Sequence, residues 1–301
     1  MLRRLVTWMF YPSILIGGLS ATLVGIRSGL PPTITVMTTI FLSAVPILLA
    51  QRWLPFEERW RARPRDFGLD LLHMASTATA TEGYRALTVG LLTAAALWLQ
   101  GSVGASLWPS GWPVWIQLAL ALIVGDFGAY WVHRLCHASP LMWRVHAMHH
   151  SSEKLYVFAS ARNHPMNAIL AYGSQLLPLT LLGAPIEVIA LLSVFTGING
   201  MLQHANVAMW HGPLNWIFAT ADLHRWHHSS DFDASNTNFG SNLILWDVVF
   251  GTRDLPEGSP EEVGLAGVNL PENFFAHLAS PFVLQRYSDP SWAEPPAVEA
   301  R

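Results

Sequence analysis

The sequence predicts an all-α fold, a polytopic bundle of membrane helices. Three observations carry this. Only 12% of the 301 residues are charged while 51% are hydrophobic, whereas a soluble domain carries about 25% charged residues. Several charge-free runs reach the roughly 20 residues that cross a bilayer. Eleven of the thirteen histidines crowd between His133 and His228, in a chain otherwise poor in polar clusters. The net charge of −3 leaves no global basic surface, so nucleic acid is not an expected partner. Cys136 is the only cysteine, which excludes internal disulfides and Cys-rich iron–sulfur sites.

Leu5 to Ile26 is uncharged and is followed by Arg27. Its length and the lack of a small-x-small cleavage pattern make it a retained anchor rather than a signal peptide. Thr33 to Ala50 is a second uncharged run, opened by Pro31-Pro32. Ala86 to Gly125 is too long for one crossing and is broken by Gly101-Ser102-Val103-Gly104 and Pro109-Ser110-Gly111-Trp112-Pro113, so two crossings joined by a short turn are expected. Met166 to Gln203 carries one charge, Glu187, beside Gly183-Ala184-Pro185, and reads as a helical hairpin.

Orientation follows from arginine. Arg52, Arg59, Arg61, Arg63 and Arg65 lie between the second and third crossings, and the turn at 101–111 has no charge. Basic loops stay in the cytoplasm, which puts the N-terminus and every histidine cluster on the cytoplasmic side. The chain then divides into an N-terminal transmembrane region over 1–110 with a basic cytoplasmic loop at 51–70, a catalytic region over 111–255, and a polar, Pro-rich C-terminal tail over 256–301. Residues beyond about 288 are expected to be poorly ordered and dispensable.

The histidines fall into boxes. His133 and His137 are an i, i+4 pair; His146, His149 and His150 form H-x-x-H-H; His224, His227 and His228 repeat that spacing. On a helix these spacings put the rings on one face, so each box aims two or three imidazoles at one point. His164 and His204 stand at the two ends of the hairpin and return to the same mouth. Isolated histidines at a membrane surface are usually hydrogen-bonded interfacial residues, and His73, His211 and His277 are read that way. Eight clustered imidazoles are costly to bury without a partner. One metal takes three or four protein ligands, so eight to ten imply two ions at a di-metal site. Imidazole suits iron, zinc and copper alike, and the spacing leaves the metal open. Asp126 sits in a membrane helix, where a carboxylate is usually functional. Tyr130 and His133 follow at i+4 and i+7, which makes Asp126 a candidate acceptor for a ligand imidazole. Glu82 and Arg85 are expected to neutralise one another.

These boxes resemble those of the fatty acid hydroxylase/sterol desaturase superfamily of membrane di-iron oxygenases. The flanks are similar too: Asp126 to His137, Asn163-His164-Pro165, Gln203-His204-Ala205-Asn206, Asn238-Phe239-Gly240, and Leu245-Trp246-Asp247 through Phe250-Gly251-Thr252. Phe239 stands where the family usually has tyrosine, and Ala208 where some relatives have a further histidine. The resemblance covers about 120–255. It implies two iron ions held by His133, His137, His146, His149, His150, His164, His204, His224, His227 and His228. Asp126, Tyr130, Asn163 and Asn238 become candidates for holding those ligands in place. It also implies dioxygen as co-substrate and oxidation of an unactivated C–H bond of a lipid from the bilayer, giving an alcohol or a double bond. The family acts on acyl chains, sterols, ether lipids and carotenoids; the Ala-rich, Arg-rich chain suggests a bacterial inner membrane and favours a carotenoid ring or an acyl chain. No haem domain or dinucleotide fingerprint is present, so electrons come from a separate ferredoxin or b-type cytochrome with its reductase. Two other readings of clustered histidine remain. A membrane zinc hydrolase usually carries H-E-x-x-H, and no box here contains glutamate; a bis-His haem protein would pair histidines within the bilayer.

Overall fold

The apolar runs form helices because a chain in lipid must satisfy its backbone hydrogen bonds internally. The structure, a computed structural model, describes residues 2–103 and 107–289. Five helices are long and apolar enough to cross a membrane: α1 (Leu2–Arg27), α2 (Pro32–Trp53), α3 (Pro64–Val103), α4 (Val114–Ala138) and α7 (Ile186–His204). Between them lie α5 (Pro140–His150) and α6 (Pro165–Leu182), the latter being the first limb of the expected hairpin. Short helices follow: α8 (Ala221–His227), α9 (Phe232–Ser235), α10 (Leu245–Val249) and α11 (Phe274–Val283). Among the described residues there are isolated β-bridges but no strand.

The long helices run alternately up and down, and contacts identify the two ends. At one end Arg27 pairs with Glu187 at 2.9 Å, and Gly183, with φ +82°, closes α6 against Gln100. At the other, Trp210 N–H donates to Thr7 at 3.1 Å, Ala208 N–H to Leu54 at 2.8 Å, and Lys154 meets Asp66 at 3.1 Å. Every histidine box reaches this second end, because α4 and α7 finish there and α6 begins there.

Two expectations need adjustment. The basic loop expected over 51–70 ends early: Pro64 occupies the first turn of α3, where proline is tolerated. At 40 residues α3 is about 60 Å long, twice a hydrocarbon core. Its first turns therefore carry Asp66, Asp70 and His73 along the histidine end. Glu82 and Arg85 pair on its surface at 2.6 Å. The N-terminal region also shares a core with the catalytic region. Tyr11, Leu15 and Ile47 pack in one cluster with Leu118, Leu191 and Ile198. α4 and α6 approach closely through Gly125 and Gly128; a Cβ on Gly128 would stand 2.2 Å from the Ser174 carbonyl oxygen.

The tail is only partly as expected. Trp143, Val268 and Leu284 form a small core of their own, and Asp289 N–H still donates to Gly267 at 2.7 Å. The stretch over 290–301, where disorder is expected, lies outside the described residues.

Candidate metal centre

Nine of the ten expected ligands gather into two groups. His133, His137, His146, His150 and His227 form one; His149, His204, His224 and His228 form the other; within each, one ring nitrogen per residue lies within 4.8 Å of the rest. The second and third boxes face each other, with the His150 and His228 rings stacked at 4.5 Å and His149 over His228 at 4.7 Å. Each H-x-x-H-H box is shared: adjacent His149 and His150 belong to different groups, as do His227 and His228.

Ring tautomers can be assigned from the partners. His133 Nδ1 lies 2.8 Å from the Phe239 carbonyl, His227 Nδ1 2.8 Å from the Thr237 carbonyl, and His204 Nδ1 2.9 Å from the Gly200 carbonyl. His146 Nδ1 lies 3.2 Å from the Asn167 amide oxygen. A carbonyl oxygen only accepts, so each Nδ1 carries the proton and each Nε2 presents a bare lone pair. In His133–His146 two such lone pairs face each other at 3.0 Å, and Nε2 to Nε2 is also 3.1 Å for His146–His150, 3.2 Å for His204–His224 and 3.0 Å for His224–His228. The buried Nε2 atoms of His137 and His227 have no protein partner. Two lone pairs at this distance repel unless a cation sits between them. Nitrogens about 2.1 Å from one ion and at right angles are about 3 Å apart, so the donor set fits metal. Burial, reinforced by the neighbouring imidazoles, pushes His146, His149, His150, His224, His227 and His228 well below 6.5. They are therefore neutral at physiological pH, as ligands must be.

His164 is the exception. Its Nδ1 accepts the Met166 N–H at 3.2 Å, capping α6, and its Nε2 donates to the Leu278 carbonyl at 3.2 Å. Both nitrogens are taken, and it lies in neither group. Asp126 also differs from expectation. It binds no imidazole; its carboxylate accepts Asn242 N–H, Leu243 N–H and the side chains of Asn242 and Gln175. Tyr130 bonds Thr252 at 2.9 Å and Arg134 at 3.1 Å rather than a histidine. Asn163 acts at one remove, accepting from Asn167, which holds His146. Asn238, at φ +56°, donates to the Leu223 and Asp254 carbonyls and accepts Asp254 N–H at 2.9 Å, which fixes the entry to the third box. Asp247 accepts Phe239 N–H and Gly240 N–H, both at 2.7 Å, and the Thr252 hydroxyl at 2.7 Å. It thereby sets the carbonyl that orients His133.

Three histidines read as interfacial are instead buried: His73 and His211 at 0% exposure and His277 at 1%. His73 Nε2 meets His277 Nδ1 at 2.9 Å, and His211 Nδ1 meets Asp222 at 3.0 Å. Beside the His73–His277 pair Arg162 binds Asp70 at 2.9 Å and Glu272 at 3.1 Å, and the Tyr156 hydroxyl donates to Asp70. Sequence spacing gives no sign of this network, because its members come from α3, the 151–164 segment and the tail.

A cavity of about 180 Å³ reaches the centre between α4, α6 and α7. Ala129, Val132, Ala171 and Gly200 give it apolar walls, and His133, His146, His149, His204 and His224 also line it.

A helical bundle with candidate membrane spans and a buried polyhistidine centre beside an apolar cavity defines a class, the membrane proteins with a candidate metal centre. Residues 118–252 match the family model described as fatty acid hydroxylase. The ornithine lipid hydroxylase OlsE of Rhizobium tropici is 35% identical over 281 residues, 92% of this chain and 84% of that protein. Alkylglycerol monooxygenase of Xenopus tropicalis is 33% identical over 180 residues, 59% of this chain and 37% of that protein. Methylsterol monooxygenase 2-2 of Arabidopsis thaliana is 26% identical over 149 residues, 48% of this chain and 54% of that protein. No solved structure matches. The chain belongs to the fatty acid hydroxylase family, and it is an oxygen-dependent oxidoreductase.

Proposed function

We propose that this enzyme is a di-iron hydroxylase of a polar membrane lipid, with an acyl-amino-acid lipid as the first substrate to test. The observation that carries the reading is the pair of histidine groups, whose Nε2 atoms approach one another to 3.0–3.2 Å beside a largely apolar cavity. Iron held there would supply reductive activation of dioxygen and oxidation of an unactivated C–H bond.

The protein supplies position. The Phe239, Thr237 and Gly200 carbonyls and the Asn167 amide fix ring tautomers, so that bare nitrogens face inward before a metal arrives. Ala129, Val132 and Ala171 form the approach, which admits an alkyl chain and disfavours water. Thr196, Gln203 and Ser241 place hydroxyl and amide groups along the same cavity, where a polar part of the lipid can be held. Among the described residues around the cavity the sole cysteine, Cys136, is buried and serves as wall. Electrons are supplied by a separate ferredoxin or b-type cytochrome with its reductase.

The substrate choice leans on a relative that spans 92% of this chain, an ornithine lipid hydroxylase, and places amino-acid lipids ahead of carotenoids. The basic segment at 51–66 supports a cytoplasmic centre in a bacterial inner membrane. The test is expression in a host that makes ornithine lipid, and in one that makes carotenoid, under isotopically heavy dioxygen. Lipid extracts should show one heavy oxygen in the amino-acid lipid, with iron bound to the purified chain. Zinc in place of iron, or lipids unchanged in every host with an active reductase, would refute the reading.

A further inference from the structure

Helix α11 is amphipathic with its polar face inward. Its ten residues, FFAHLASPFV, contain two polar side chains, His277 and Ser280, both buried. Facing outward are Phe275 and Phe282, 76% and 75% exposed, with Ala279 between them in an i, i+4, i+7 stripe. A helix on a water-facing surface packs such a stripe against the core, and here the opposite face is fixed. His277 Nδ1 meets His73 Nε2 at 2.9 Å, and the Ser280 hydroxyl donates to the His277 carbonyl at 2.7 Å. The Leu278 carbonyl accepts from His164, and Asn273 caps the first turn by accepting Ala276 N–H at 3.0 Å. Glu272, just before the helix, pairs with Arg162. Rolling α11 to hide its phenyl rings would break the His73–His277 and His164–Leu278 bonds together.

Depth points to the partner. His73 lies on the first turns of α3, a helix long and apolar enough to cross a membrane. At this level α3 itself exposes Leu71, Leu72 and Met74. The rings of α11 thus continue the apolar surface of a membrane-spanning helix. Interfacial helices bury such an apolar face about 5–10 Å into the headgroup and acyl boundary.

We propose that α11 is an interfacial membrane helix whose Phe275–Phe282 face inserts into the lipid of the leaflet next to the histidine centre. Its occupant is bilayer lipid. Through His164, which caps α6, the inserted helix is tied to one wall of the cavity.

The test uses the full chain in phospholipid nanodiscs, with spin labels at Phe275→Cys and Phe282→Cys. Leu91→Cys on α3 is the lipid reference and Glu257→Cys the water reference; native Cys136 is buried. Labels at 275 and 282 should collide with oxygen in preference to a water-soluble nickel chelate, with a ratio several-fold above that at 257 and near that at 91. A nickel preference at both sites overturns the proposal, as does exclusion of both reagents, which would mean that protein covers the face. The unmodified chain gives a second readout. A photoactivatable phospholipid should label the peptide over 274–283, and labelling of α3 without that peptide would also overturn the assignment.

Discussion

At the scale of the residue, the nitrogens that do not face metal decide the site. His146 presents Nε2 inward because Nδ1 is held by Asn167, which is itself held by Asn163. Asn167→Leu removes the acceptor and should lower metal affinity by about 10- to 100-fold, read as iron per polypeptide; Asn167→Asp keeps an acceptor and should retain most of the iron. His164→Ala should keep full iron, because both its nitrogens serve the backbone. Iron loss at His164→Ala equal to that at His146→Ala would contradict the assignment. His73→Ala should also keep iron while lowering stability by about 1–3 kcal/mol, the cost of stranding the buried partner His277, as seen in thermal unfolding. The boxes were legible because three-His clusters at helical spacing stand out in an apolar chain. Their supports were not. Phe239, Thr237 and Gly200 act through carbonyls that every residue possesses, so no side-chain pattern marks them. Asp126 was legible as a costly buried carboxylate but not in its task, since the 240–243 loop that it binds lies more than a hundred residues away.

Among the elements, the seam between α4 and α6 borders the cavity. Gly128 sits where any Cβ would meet the Ser174 carbonyl at 2.2 Å, and backbone cannot rotate away as a flexible side chain can. Gly128→Val should push the helices apart at a cost of about 1–3 kcal/mol, visible as a lowered melting temperature in detergent. An unchanged melting temperature would mean that the seam is loose. The loop after the third box rests on Asp247, which accepts three donors. Asp247→Ala frees the Phe239 carbonyl from its setting and should lower iron occupancy although no metal ligand is changed. Hydropathy revealed the long helices well, since lipid imposes the pattern. It could not show that α3 starts at Pro64 with three buried polar residues, nor that a helix lies in the Pro-rich tail. Ten residues are too few for a spanning signal, and the two polar ones face inward.

For the whole molecule, alternation of the long helices brings all the boxes to one end, and the arginines of the 51–66 segment belong to that end as well. Reporter fusions after Gly111 and after Glu257 should therefore report opposite sides of the membrane; the same side for both would undo the topology. The described tail remains engaged as far as Asp289. Truncation after Asp289 should preserve product formation, whereas truncation after Glu272 removes α11 together with the Leu278 carbonyl on which His164 rests and should abolish it.

The sharing of each box between the two histidine groups has a consequence for assembly. His149 and His150 are joined by a single peptide bond, as are His227 and His228, and each pair divides between the groups. Orienting one residue of a pair orients the other, so on the proposed two-iron reading the first ion to arrive would do much of the ordering for the second. Filling should then be cooperative. In native mass spectra recorded at half the saturating iron, chains with none and chains with two should outnumber chains with one; a binomial distribution would show two independent sites. The same linkage makes a wrong metal in either group a fault of the whole centre, which can be repaired only by emptying both.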